Sequence, residues 1–261
     1  MYAGCIRVAG GMSDVAGGPK YGKHFIPLES NPDVFTQLVH NLGISSKLIF
    51  TDVLSLDEPD LLAHVPRPVY ALVLVFPVTE TYEKQKADME ASCPEYAGCG
   101  EGEDIVWYKQ TINNACGLYG ILHAVSNGPA RDYIEKDSIM YRLLQGSIPL
   151  EPHARALFLE SSSELEEAHT AAALQGDTVA PNAEDEVNYH YVCFVRSCHS
   201  GNLYELDGDT KGPRDLGTQL AEGDDMLSEG ALDAVRDYIS REEGGDLSFA
   251  LLALVRDDSG N

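Results

Sequence analysis

The chain has 261 residues, 44% of them apolar and 23% charged, enough to bury the core of one large domain or two small ones. Forty-two acidic residues against 18 basic ones leave a formal net charge of −24, which disfavours nucleic acid and anionic membrane as partners because their phosphates would be repelled. No apolar run approaches the ~20 residues of a membrane-spanning helix, and residues 1–23 lack the continuous apolar core of a secretory signal.

In chain order, the first 23 residues read as a flexible, glycine-containing extension, with Met12 an alternative start. Asn31-Pro32 supplies a helix cap and a first-turn proline, after which Val34, Phe35, Leu38, Val39 and Leu42 form an apolar face that Gly43 ends. Leu48 to Val53 and Val69 to Phe76 read as strands, the second buried on both faces. Thr79 to Ala91 reads as an exposed helix, and a Gly-rich acidic loop follows from Pro94 to Asp104.

Asn114 to Val125 is the next helix, with Leu118, Ile121, Leu122 and Val125 on one face. Further helices are expected at Ser138 to Gln145, His153 to Leu159 and Ser163 to Gln175. Gly176 to Val187 is polar and aperiodic, so a mobile loop is expected there. Tyr189 to Val195 and Leu203 to Asp207 form a hairpin, Ser228 opens a helix ending near Gly244, and Leu247 to Val255 is a last apolar strand. The interspersed order gives α+β or α/β in one domain, residues 24–261.

Six cysteines, at positions 5, 93, 99, 116, 193 and 198, form no CxxC pair and no Cys/His cluster of zinc-site spacing. No metal, cofactor or disulfide framework is therefore expected, and a reduced protein of the cytoplasm, with access to the nucleus, is. Cys116 stands out because it falls in the first turn of a helix, where free amide donors and the dipole favour a thiolate. Small neighbours, Ala115 and Gly117, keep its sulfur approachable. A buried cysteine packed at a helix start is the plainer alternative. Gln110, six residues earlier across a polar turn, can donate its side-chain amide to an oxyanion, with the Cys116 N–H as second donor.

Of eight histidines, His123 lies two helical turns beyond Cys116, about 10 Å along the axis, and reads as a core residue. His24, His40, His64, His153, His169 and His199 have no carboxylate placed to orient them. His190 differs. With the hairpin turn centred between Cys198 and His199, it stands directly opposite Asp207, Cβ atoms about 4.5–5.5 Å apart, close enough for the carboxylate to orient the imidazole. Glu205 is diagonal on the same face and is the weaker orienter. A one-residue slip would send the pair to opposite faces.

QTINNACGLYGILHAVSNG (Gln110 to Gly128), VNYHYVCFV (Val187 to Val195) and LYELDG (Leu203 to Gly208) resemble the three catalytic blocks of the ubiquitin C-terminal hydrolases, peptidase family C12. FIPLESNPDVFTQLVHNLGI, VPRPVYALVLVFP and REEGGDLSFALLALVR resemble its N-terminal block, second strand region and closing strand, so the resemblance runs from about residue 24 to the end. It is to the short, single-domain members. It implies a papain-like fold, with a central antiparallel-rich sheet flanked by helices, a knotted backbone and a loop crossing the active site near Gly176 to Val187. It also implies Cys116 as nucleophile, His190 as general base and acid, Asp207 as orienter and Gln110 as oxyanion donor. Two departures stand out: Leu118 where many members carry Thr or Ser, and Asp209-Thr210 after LDG where a basic residue is common.

The resemblance implies a monomeric thiol hydrolase that releases small adducts or short peptides from the terminal glycine of ubiquitin through a thioester. Ubiquitin's basic tail then gives the acidity a purpose. Hydrolysis of NEDD8, which also ends in paired glycines, and ubiquitin binding without catalysis are the alternatives. A redox-sensing thiol would need a disulfide partner for Cys116 that the sequence does not offer.

Overall fold

The protein is described here by a computed structural model covering residues 21–185, 187–241 and 248–257. Residues 1–20 of the expected extension, and the expected helix end near Gly244, lie outside the described residues. Lys23–His24 forms a short strand, β1, so the end of the extension already belongs to the domain. Helix α1 spans Pro32–Asn41; Asn31 Oδ1 caps it by accepting from the Asp33 N–H at 2.9 Å, and Val34, Phe35, Leu38 and Val39 are buried as their spacing requires. Gly43 ends the run at φ 87, where a Cβ would fall 2.3 Å from that of Ser138.

Strand β2 (Leu48–Asp52), the short helix α2 (Pro59–Leu62) and strand β3 (Val69–Pro77) follow. Helix α3 spans Glu80–Glu90, capped by Thr79 Oγ1. It is exposed along most of its length, as expected, but its residues Tyr82 and Lys86 are buried. The segment from Pro94 reaches β4 (Ile112–Asn113), which pairs in parallel with β1. Helix α4 (Cys116–Ser126) is buried along nearly its whole length. A 3-10 turn (Gly128–Tyr133) leads to α5 (Ile139–Ser147), α6 (Pro152–Glu160) and α7 (Ser163–Ala173), with Ser138 and Ser162 accepting the capping bonds of α5 and α7. Strands β5 (Tyr189–Arg196), β6 (Asn202–Leu206) and β7 (Arg214–Gln219), helix α8 (Glu229–Ser240) and strand β8 (Ala250–Arg256) complete the chain. Ser228 precedes α8 as expected but makes no side-chain capping bond. β7 escapes a sequence reading because RDLGTQ is a polar edge strand with no apolar alternation.

Six strands form one sheet in the order β2-β8-β3-β5-β6-β7, every neighbouring pair antiparallel. Side chains of β3 alternate between two cores. Ala71, Val73 and Val75 pack toward α1, α4, α5 and α7, whereas Leu72, Leu74 and Phe76 pack toward α8. Burial on both faces explains the uninterrupted apolar run, and each such Val or Leu contributes roughly 1.5–3 kcal/mol of transfer free energy. Among the described residues no helix is long and apolar enough to cross a membrane.

Candidate active site

Cys116 is the first residue of α4, half-buried, preceded by Asn114 in the left-handed region at φ 57. The helix lies close on the sheet because two of its contact positions are glycine. A Cβ on Gly117 would stand 3.3 Å from Leu28, and one on Gly120 3.2 Å from Val73 of β3. That close approach brings the start of α4 to the start of β5, where the Cys116 sulfur lies 4.0 Å from the carbonyl oxygen of Tyr189, the residue before His190. The Cys116 N–H is among the first-turn donors that find no acceptor within the helix.

His190 is buried, and its Nε2 meets Asp207 Oδ1 at 2.8 Å. Both residues lie on the same sheet face, as expected, but the expected direct opposition is corrected. The ladder pairs Cys193 with Leu206 and Phe194 with Glu205, a register that would set Asp207 beside Val192 and makes it diagonal to His190. The register is shifted by two residues, so the face is kept. Asp207 follows the last residue of β6 and leans along the strand direction to close the gap. Glu205 sits nearer the middle of the strand and binds Arg214 and Arg241 instead.

Asp207 is held from several sides. Oδ1 also accepts from the Asp209 N–H at 2.8 Å, and Oδ2 accepts from the Tyr82 hydroxyl at 3.1 Å. Its carbonyl accepts from Trp107 Nε1 at 2.9 Å and from Thr210 Oγ1 at 2.8 Å. Burial alone would raise the Asp207 carboxyl, but the charge and hydrogen bond of His190, with Lys86 behind, hold it well below the usual carboxylate range. Burial likewise works to deprotonate His190, and the Asp207 charge overrides it, lifting the imidazole well above its ordinary value. The opposed shifts describe a buried carboxylate placed to stabilise positive charge on the imidazole beside it.

Gln110 is fixed by its backbone N–H, which donates to Gly208 O at 2.7 Å and so ties it to the turn carrying Asp207. One hydrogen of its Nε2 goes to Ile112 O at 3.0 Å, leaving the second available to a ligand. His123 is a core residue, accepting the Tyr108 N–H at 3.0 Å on Nε2, and burial pushes it down to about 4. Cys193 is buried in the core, Cys198 is exposed in the hairpin turn, and the described cysteines are all free. Among the described residues no group of His, Cys, Asp or Glu could hold a metal ion.

The segment after α7 is anchored at both ends. Glu29 Oε2 accepts from the Thr178 N–H at 3.0 Å and hydroxyl at 2.6 Å. Asn114 Nδ2, two residues before the thiol, donates to the carbonyls of Ala183 and Asp185 at 2.9 and 2.8 Å. Sequence reading missed Asn114 and Tyr82 as site residues. An αL asparagine before a helix is a recognisable signal, whereas a tyrosine on a polar helix is not.

A family model, ubiquitin carboxyl-terminal hydrolase family 1, matches residues 25–240. Ubiquitin carboxyl-terminal hydrolase 3 of Arabidopsis thaliana is 34% identical over 235 residues, which is 90% of this chain and 95% of the relative. A ubiquitin carboxyl-terminal hydrolase of Aplysia californica is 38% identical over 221 residues, 84% of this chain and 97% of the relative. In fold the chain resembles the UCH37 catalytic domain of Trichinella spiralis solved with ubiquitin vinyl methyl ester, with a TM-score of 0.68, 20% identity and coverage of 91% of this chain and 97% of that one.

Proposed function

The chain belongs to ubiquitin carboxyl-terminal hydrolase family 1 and is a cysteine-type deubiquitinating hydrolase, and on that footing we propose that Cys116, His190, Asp207 and Gln110 carry its reaction. The observation that carries the proposal is the buried His190 held by Asp207 through Nε2 on the strand whose first residue, Tyr189, meets the thiol at the start of α4. With Nε2 engaged, Nδ1 is the ring nitrogen left to exchange a proton with sulfur.

In the proposed sequence His190 takes the Cys116 proton, and the thiolate attacks the carbonyl of ubiquitin's terminal glycine. The oxyanion takes the free Nε2–H of Gln110 and the Cys116 N–H. Protonated His190 then delivers its proton to the leaving amine as the C–N bond breaks, leaving a thioester. Water, deprotonated by the same imidazole, attacks the thioester and expels the thiolate. The formal charge of −24 supports the steering of a basic substrate tail toward the protein. The matched relatives are ubiquitin hydrolases, which favours ubiquitin over NEDD8 as the substrate.

The anchored segment from Asp177 to Asp185 supports a preference for small or unfolded leaving groups, since Asn114 ties it down two residues from the thiol. Labelling with a ubiquitin vinyl methyl ester probe tests the nucleophile: the wild type is modified and Cys116→Ala is not. Equal labelling of both would overturn the assignment.

A further inference from the structure

Tyr82, Lys86 and Glu90 are spaced four residues apart on α3 and share one of its faces. Each engages the turn that follows β6. The Tyr82 hydroxyl donates to Asp207 Oδ2 at 3.1 Å, and Lys86 Nζ pairs with the Asp209 carboxylate. Glu90 Oε1 accepts from the Lys211 N–H at 2.7 Å, and its carbonyl from Lys211 Nζ at 2.8 Å. One helical ridge thus grips alternate residues of the catalytic turn, 207, 209 and 211.

Building on the proposed triad, we propose that α3 positions its carboxylate, with Tyr82 as the positioning residue that fixes the orientation of Asp207 so that Oδ1 aims at His190. The torsion that turns a carboxylate is broad, so one bonded oxygen leaves the other free to swing. A donor on each oxygen removes that freedom. Asp207 is also buried, and without Tyr82 its Oδ2 would lose its donor beside a cavity of about 30 Å³ lined by Tyr82, Lys86, Asp207 and Tyr238. Lys86 adds to the same end. It is only 9% exposed, an unusual setting for lysine, and it fixes Asp209, whose N–H is the second donor on Oδ1. The charged and titratable groups around Asp207 include His190 on β5, Glu205 on β6, Tyr82 and Lys86 on α3, His123 on α4, Tyr238 on α8, Tyr21 and Asp209.

A double-mutant cycle on ubiquitin bearing a fluorogenic C-terminal amide tests this, with wild type, Tyr82→Phe, Asp207→Asn and the double variant. Tyr82→Phe should lower kcat about tenfold with KM within about twofold, and should cost nothing further once Asp207 is Asn. A residue that merely stabilises the fold would show the same loss in both backgrounds. If Asp207→Asn itself turns over at the wild-type rate, the triad reading falls and this inference with it. If Asp207→Asn is slow but Tyr82→Phe is not, or the two losses multiply, positioning by Tyr82 is overturned while the triad stands. Lys86→Met, carried through the same cycle, should show the same dependence on Asp207 and serves if Tyr82→Phe does not fold.

Discussion

His190 and Asp207 bond at 2.8 Å although the β5–β6 ladder makes them diagonal neighbours. A diagonal pair needs outside support to stay aligned, and Asp207 receives it from the Asp209 N–H and the Tyr82 hydroxyl. Asp207→Asn leaves the shape intact but presents an amide that no longer stabilises imidazolium. It is expected to lower kcat about 10²–10⁴-fold with little change in KM, measured on a fluorogenic ubiquitin amide. Wild-type kcat in this variant would remove Asp207 from the mechanism.

The same pair predicts a pH dependence of stability. His190 is raised above its ordinary 6.5, so its contribution is complete below pH 6.5 and lost as pH climbs through the folded value. Asp207 is lowered from 3.8, so its contribution is present above pH 3.8 and lost as pH falls through the folded value. Relative to the double variant His190→Gln/Asp207→Asn, wild type should show its largest urea-midpoint advantage between those two pH values. An advantage that keeps growing from pH 6.5 upward would contradict the assigned shifts.

Gln110 keeps one amide hydrogen on Ile112 O and has one to offer an oxyanion. Gln110→Ala should reduce kcat about 10²–10³-fold, the usual cost of one oxyanion donor, while KM changes little. A loss confined to KM would make Gln110 a binding residue instead.

Asn114→Gly keeps the left-handed backbone at φ 57 while deleting both bonds to the loop. Faster hydrogen exchange across residues 177–185 should follow, together with a gain in cleavage of folded di-ubiquitin over the fluorogenic amide. Unchanged exchange would show that Asn114 does not hold the loop.

Beneath the site, Arg155 and Glu103 pair at 2.6 Å with side chains 0% and 3% exposed, and Arg155 Nη1 also donates to Trp107 O at 2.8 Å. Glu103→Ala would strand a buried guanidinium, so unfolding free energy in urea should fall by about 3–5 kcal/mol. A change below about 1 kcal/mol would mean that the site relaxes enough to hydrate Arg155.

The local signals were legible in the chain alone. Asn31-Pro32 caps α1, the apolar run of β3 is buried on both faces, and Cys116 opens α4, because each depends on neighbours a few residues away. The hairpin was legible in its faces but not in its register. Side-chain parity survives a two-residue shift, so His190 and Asp207 share a face in either register, whereas opposition depends on the turn geometry. What only the tertiary structure decided was distance between elements. Gly117 and Gly120 let α4 sit against the sheet, and the ridge of Tyr82, Lys86 and Glu90 meets the turn after β6 more than 115 residues further on. Nothing within α3 announces that meeting, since its sequence is polar and its partners are chosen by the packing of the sheet beneath it.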